Sequence, residues 1–435
     1  MMRKTAKIFT GLVLSCALLL SAAVGAYCIY LPDRYYLTEG VNSFKIGSFF
    51  NIETKKQQVA KVSKVYAGKD ASTGTATNYA AELKLFGVIP VKTVQAEEIE
   101  RPMLIPCGTP FGIKMLTGGA IITEFGEVDG VNGFSSPAKN SKLAVGDVVV
   151  EVNGMPVRQN SDITAAVQRS PEVTIVNFTR GSTTELQTAE LIPVKSNQDG
   201  LYKIGMWVRD SSAGIGTMTY YNPTDGTFGG LGHAVCDVDT GQILPMASGE
   251  AVAVTISSVT KGASGSPGEL IGSFMSRVAI GQILGNSESG VFGVMENPPV
   301  PEDAEPLPMA FKQEVHIGPA KMIATVNGNI PAEYDVLIEK IDYNDKHRVK
   351  NMVIRIVDNK LLSVSGGIVQ GMSGSPIVQN GRLAGAVTHV FVSDPARGYG
   401  IFAENMFRES VSVLVARDDV GACVRDDVYE LQPAA

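Results

Sequence analysis

The sequence predicts a mainly β protein with one apolar helix at its N-terminus, and three observations carry that reading. Glycine is abundant, 46 of 435 residues, and much of it lies at turn-like positions between Val/Ile/Thr-rich runs. After Pro193 short apolar segments alternate with Gly, Asp and Asn turns almost to the end: Met206–Val208, Ile215–Tyr220, Ala251–Ile256, Val278–Ile283, Ala320–Val326, Val336–Ile341 and Met352–Ile356. Such spacing suits a barrel or sandwich, and the length suits two six-stranded barrels packed together. Residues 8–30 are an apolar run that no charge interrupts. The overall balance, 44% hydrophobic and 19% charged, is that of a folded chain of more than one domain. A net charge of -7, a pI near 5.3 and the lack of any basic run give no electrostatic footprint for nucleic acid.

At the N-terminus Arg3, Lys4 and Lys7 precede the apolar run. The run is long enough to cross the roughly 30 Å hydrocarbon core of a bilayer as a helix. The positive-inside rule then leaves Met1–Lys7 cytoplasmic and sends the rest across. Ser21-Ala22-Ala23 and Val24-Gly25-Ala26 offer a signal-peptidase site, so residues 1–30 read as a membrane anchor or a cleaved signal. Cys16 and Cys28 lie inside this segment, and Cys107, Cys236 and Cys423 show no CxxC spacing. Neither a disulfide framework nor a zinc site is implied, and no cofactor is expected. Residues 31–100 read as a stalk or linker, because Asn51–Gln58 and Gly68–Asn78 are polar and only Leu83–Lys92 is more apolar.

From residue 101 to residue 195 the pattern changes. A strand around Ala120–Phe125 is followed by Gly146-Asp147-Val148-Val149-Val150-Glu151-Val152-Asn153-Gly154, a helix-like Asn160–Arg169, and strands near Val173–Thr179 and Leu186–Pro193. This order resembles PDZ domains, in which an Asn-Gly pair turns a short hairpin and the helix flanks a peptide groove. The resemblance puts Phe111-Gly112-Ile113 in the place of the carboxylate-binding loop, whose N–H groups capture a chain terminus or an internal β-finger.

Residues 196–425 carry the chemistry, ahead of a tail at 426–435. Gly371-Met372-Ser373-Gly374-Ser375-Pro376 can turn sharply, expose one hydroxyl and aim successive N–H groups at one point. The strand, Asn380-Gly381 turn and strand that come next make a β-hairpin. Among four histidines, His233 lies in a glycine-rich run, Gly229-Gly230-Leu231-Gly232-His233, that can carry its imidazole close to another loop. With a serine motif far downstream, it is the best general base. His316 and His347 lack such a setting. For an acid, Asp358 follows an apolar strand, while Asp237 and Asp239 are sequence neighbours of His233. Gly262-Ala263-Ser264-Gly265-Ser266-Pro267 repeats the serine motif, but Gly268 and Glu269 stand where the later copy has Ile377-Val378, so it reads as a turn inside the barrel.

The serine hexapeptide resembles the GxSGxP signature of chymotrypsin-like proteases. Together with the membrane segment, the PDZ-like module and Gly229–Val235, it is similar to the stage IV sporulation protein B peptidases of endospore-forming bacteria. That resemblance implies a chymotrypsin-like double β-barrel and a serine endopeptidase acting between forespore and mother cell. It further implies self-cleavage, and cutting of a membrane-bound regulator of an intramembrane protease so that a pro-sigma factor is processed. The PDZ module would hold peptide segments in cis or trans. Carried over, Ser373 is the nucleophile, His233 the base and Asp358 the acid, with N–H groups of Gly371 and Ser373 as the oxyanion hole. Met372 replaces the aspartate that many digestive proteases carry before the serine. Thr388 and His389 end the strand after the nucleophile, where this class lines its specificity pocket. Two other readings stand beside this one: a non-catalytic PDZ scaffold, and a quality-control protease of the HtrA kind, which usually places its protease before the PDZ module.

Overall fold

The computed structural model describes residues 2–41, 43–47, 49–54, 77–181, 185–295, 297–300 and 304–413. The polar stretch 68–76, Cys423 and the tail 426–435 lie outside the described residues. The protein is mainly β, as the glycine-punctuated apolar runs require, and begins with helix α1, Met2–Tyr30. Within it Thr10–Tyr30 has a mean hydropathy of 2.3, long and apolar enough to cross a membrane.

The segment expected to be a stalk is instead folded. Strands β1 (Arg34–Leu37), β2 (Ser43–Ile46), β3 (Phe50–Thr54), β4 (Thr77–Leu85) and β5 (Ile89–Glu98) form one sheet in the order β1-β5-β4-β3-β2. Its apolar residues alternate with charged ones: Ala81, Leu83 and Leu85 are buried while Glu82 and Lys84 lie on the other face. That period of two makes a half-buried strand look polar when its composition is averaged. Tyr36 seats the sheet on the rest of the molecule, its ring 6.0 Å from that of Phe311 and its carbonyl accepting from Gln313 Nε2 at 2.7 Å.

Two long strands organise the middle of the chain. After β6 (Met103–Pro106), strand β7 runs from Pro110 to Phe125. Its second half pairs with β8 (Val148–Val152), which leads through the Asn153-Gly154 turn, both residues at positive φ, to helix α2 (Asn160–Arg169) and strands β9 (Thr174–Thr179) and β10 (Gln187–Leu191). Helix α2 begins where Asp162 accepts from the N–H groups of Arg158 and Gln159, and it buries Ile163, Ala166 and Val167. These side chains meet Val149, Val152, Val176 and Phe178 in a core of their own. The chain then returns as β11, Met206–Tyr221, which pairs with β7 from Met206↔Phe125 to Thr217↔Pro110.

The first half of β7 and the later part of β11 belong to a barrel. With β12 (Thr227–Gly230), β13 (Met246–Thr260), β14 (Glu269–Ser287) and β15 (Gly290–Met295), they pair in the ring β7-β13-β14-β15-β12-β11 and back to β7. Residue 196 is therefore not a boundary, since β7 lies far upstream of it and β11 crosses from one module to the other. A second closed barrel consists of β16 (Gly318–Ala324), β17 (Ala332–Ile341), β18 (Met352–Ile356), β19 (Pro376–Gln379), β20 (Arg382–Phe391) and β21 (Asp394–Phe402), in the order β16-β17-β18-β21-β20-β19. Helix α3 (Asn359–Ser365) follows β18. The β19–β20 hairpin turns on Asn380 and Gly381 at φ of 52° and 70°, as the Asn-Gly pair predicts. Met322, Ile338, Ile354 and Ile377 fill this barrel with no exposed surface.

A barrel that lacks one strand exposes two unpaired edges and half of its core. A fragment beginning at residue 126 is therefore expected to lose the cooperative thermal unfolding that a fragment beginning at residue 101 retains, as followed by circular dichroism.

Candidate active site

The loop expected to carry the nucleophile, Gly371–Pro376, lies where the two barrels meet. Gly371 and Gly374 adopt φ of 94° and 98°, a region closed to other residues without strain. A Cβ on Gly374 would also overlap the Thr217 carbonyl and come within 2.6 Å of Leu231 N. The loop is thus pressed against β11 and against the segment that carries His233. Three of its carbonyls are taken by β11: Thr217 Oγ1 donates to Gly371 O at 2.7 Å, Thr217 N to Ser373 O at 3.0 Å, and Thr219 Oγ1 to Gly374 O at 2.7 Å. Met372, completely buried, plugs the loop into the core of the second barrel, which is how the turn is held without a carboxylate. The N–H groups of Gly371 and Ser373 have no acceptor among the described residues. They are thereby available to an oxyanion.

Ser373 Oγ donates to the Thr388 carbonyl at 2.8 Å. Thr388 itself is buried, its hydroxyl bonded to Val349 O at 2.9 Å and its methyl 3.0 Å from where a Cβ on Gly232 would stand. The next side chain, His389, faces outward and lies against His233, ring centroids 4.9 Å apart. His233 is carried there by Leu231 and Gly232, both at positive φ, directly after β12. Its Nδ1–H donates to Ala234 O at 2.8 Å, which leaves Nε2 as the acceptor nitrogen of a neutral ring. Desolvation lowers the His233 pKa below 6.5, partly offset by the Ala234 carbonyl. His389 is pushed down to about 4 by desolvation, by His233 and by the Lys350 ammonium. Asn286, at the end of β14, holds the backbone beyond His233: its Oδ1 accepts from Val235 N at 2.8 Å, and its Nδ2 donates to Val235 O and Leu244 O.

Ser373, His233, Thr388 and His389 are therefore brought together, and the carboxylates are not. Asp358 caps α3, accepting from the N–H groups of Lys360 at 2.9 Å and Leu361 at 3.0 Å. The Leu361, Asp335 and Lys360 N–H groups hold its carboxyl below the usual range. Asp237 and Asp239 both pair with Arg209, at 2.5 and 2.7 Å. His347 pairs with Asp342 at 2.8 Å. Ser264 donates to Ser393 O at 2.9 Å in an exposed turn. Among the described residues no cluster of three or more His, Cys, Asp or Glu side chains could hold a metal.

Residues 200–407 match the family model described as SpoIVB peptidase S55. The match supports the SpoIVB peptidase family over that part of the chain. This is a serine peptidase family, and no curated protein matches the chain.

The residues expected to form the peptide-binding loop are placed differently. Phe111, Gly112 and Ile113 are not a loop but part of β7, paired with Gly216, Ile215 and Gly214 on one side and with Ala253, Val252 and Ala251 on the other. Phe111 is fully buried edge-on against Phe228, and Ile113 is 4% exposed. Strand pairing on both sides takes up the backbone groups that would capture a carboxylate. A groove of about 510 Å³ opens instead between α2 and the start of β11, lined by Ile163, Val167, Tyr202, Ile204, Met206 and Trp207. Sequence reasoning also missed Thr217, Thr219 and Asn286. The two threonines had a signal: they alternate with Met218 and Tyr220 in a strand too apolar to face water, and a buried hydroxyl needs an acceptor.

Two measurements check this geometry. The base must be unprotonated, and its pKa is depressed, so the acid limb of kcat/KM should fall below pH 6.5. Asp358→Ala should lower stability by about 1 kcal/mol in urea denaturation through loss of the cap, and Asp358→Asn, which can still cap, should restore it. Restored stability without restored turnover would instead place the carboxylate's work at His233.

Proposed function

We propose that this protein is a membrane-tethered serine endopeptidase of the SpoIVB type and of chymotrypsin-like architecture, with Ser373 as nucleophile and His233 as general base. The observation that carries the reading is the seating of the Ser373 loop against the His233 segment, with both side chains converging on Thr388-His389. For the reaction the Ser373 hydroxyl would have to turn from the Thr388 carbonyl to His233 Nε2. Oγ then attacks the scissile carbonyl carbon, Nε2 accepts its proton and later returns it to the leaving amine. The Gly371 and Ser373 N–H groups receive the oxyanion, a contact whose loss typically costs about 10²–10³ in turnover. The Ala234 carbonyl fixes the imidazole tautomer, the task for which the class uses a buried carboxylate. For Asp358 to take that task, the N-terminus of α3 would have to release it. His389, tilted against the base and exposed to solvent, would meet the residue before the cut.

The PDZ-like reading rests on the groove beside α2. Met206–Arg209 pairs only with β7 among the described residues, so its other edge is open to an extended peptide added as a further strand. Helix α1 supplies the tether. By family likeness the substrates are the chain itself and a membrane-bound regulator of an intramembrane protease, cut between forespore and mother cell so that a pro-sigma factor is processed.

A fluorescent fluorophosphonate applied to the chain from residue 31 onward decides between peptidase and scaffold. The expected result is labelling at Ser373, lost together with self-cleavage in Ser373→Ala and still found at Ser373 in Ser264→Ala. Labelling at Ser264, or none in the wild type, would overturn the assignment.

A further inference from the structure

The second copy of the serine motif has no part in the proton transfers of Ser373 and His233, yet it lies against the nucleophile loop. It forms the tip of the β13–β14 hairpin of the first barrel and reaches across to the second. Gly262 N donates to Ser365 O at 2.8 Å, Gly265 N to Val392 O at 2.8 Å, and Ser264 Oγ to Ser393 O at 2.9 Å. These bonds fasten the tip both to the end of α3 and to the turn between β20 and β21. From there it meets the residue just before the nucleophile loop in a two-way bridge: Gln370 N donates to Gly268 O, and Leu270 N to Gln370 O, each at 2.8 Å. Leu270, 7% exposed, also covers Gly371, where a Cβ would lie 3.1 Å from its own.

The bridge matters because of what shares its peptide plane. The Gln370 carbonyl and the Gly371 N–H belong to one trans peptide group, so they point in opposite directions. With the carbonyl held by Leu270 N, the N–H is turned away from the tip, toward the side on which it has no partner among the described residues. A glycine at φ 94° has little intrinsic preference to keep that plane from flipping, because Gly371 can adopt either sign of φ. The plane that carries the Ser373 N–H is held within the loop itself, its Met372 O accepting from Ser375 N at 2.9 Å.

We propose that Gly268–Leu270 is the positioning element of the oxyanion hole: the first barrel fixes, through Gln370, the direction of the Gly371 N–H that the second barrel uses. Its role rests on the peptidase reading of Ser373 and His233. The repeated motif is thus a buttress for the active copy. Gly268 is suited to it because a Cβ there would overlap the Thr260 carbonyl and stand 2.6 Å from Gly262 N, so only glycine lets the tip close this tightly.

The test compares wild type, Gly268→Ala, Leu270→Ala and the conservative Leu270→Met in the full chain in detergent, reacted with a fluorescent fluorophosphonate. Because the phosphoryl oxygen occupies the oxyanion position, the maximal labelling rate is expected to fall about tenfold in Gly268→Ala and Leu270→Ala. The half-saturating probe concentration should stay within about twofold, and the acid limb of the rate should stay at its wild-type pH, since His233 is untouched. Leu270→Met should recover most of the rate. A wild-type rate in Leu270→Ala, or a loss that appears in the half-saturating concentration or shifts the acid limb, would overturn the proposal. Should Gly268→Ala fail to fold, Leu270→Ala with its Met rescue gives the same decision. No labelling of the wild type would count against the peptidase reading instead.

Discussion

The grip of β11 on the nucleophile loop is the constraint on which the rest of the site depends. Two hydroxyls and one N–H of a first-barrel strand take three carbonyls of a second-barrel loop. Each bond is worth about 1 kcal/mol net, but an unmet buried carbonyl costs about 1–3 kcal/mol. The bonds therefore act less as added stability than as a penalty on any other loop conformation. Each held carbonyl also fixes the N–H of its own peptide plane, so the planes on either side of the one that carries the Ser373 N–H are both set. The same strand brings Leu231 N to the Thr217 carbonyl at 3.2 Å, so the base and the nucleophile are registered against one piece of backbone.

Electrostatics at the site derive from this packing. Two imidazoles tilted against each other and partly desolvated, with Lys350 near His389, favour the neutral form of both. A neutral His233 is what a general base requires, and the Ala234 carbonyl selects the tautomer that leaves Nε2 open. Carboxylates in the neighbourhood are engaged elsewhere, Asp237 and Asp239 with Arg209 and Asp358 with a helix end. On the proposed reading, the Ala234 carbonyl and Asn286 position the base and its segment, where the Ser-His-Asp template uses a carboxylate.

Much of this is legible in the residues alone, and the failures have identifiable causes. The serine turn, the Asn-Gly hairpin after it, helix α2 and the glycine-borne His233 are local features, set by φ preferences and by period, and the structure has them where the sequence places them. The strands expected from apolar runs are too short. Met206–Val208 and Ile215–Tyr220 are the two ends of β11, joined through a polar stretch whose register shifts keep pairing with β7 despite its glycines. The PDZ resemblance puts Phe111-Gly112-Ile113 in a loop, but an apolar pair flanking a glycine equally fits a barrel strand packed closely on Phe274 and Val252. Asp358 fails for a different reason: a helix cap and a catalytic acid use the same residue type after a strand, and only the neighbouring N–H groups tell them apart.

Helix α1 passes into the body with no slack. Leu31 N closes a last turn on the Tyr27 carbonyl at 3.0 Å, Tyr27 lies edge-on against Phe50 of the sheet, and the sheet is in turn seated on Phe311. In a bilayer such a joint is an outrigger, not a leash. On the membrane-tethered reading it would hold the cleft at one height above the lipid, so that a substrate's distance from the surface would bear on where it is cut, as well as the residues it presents.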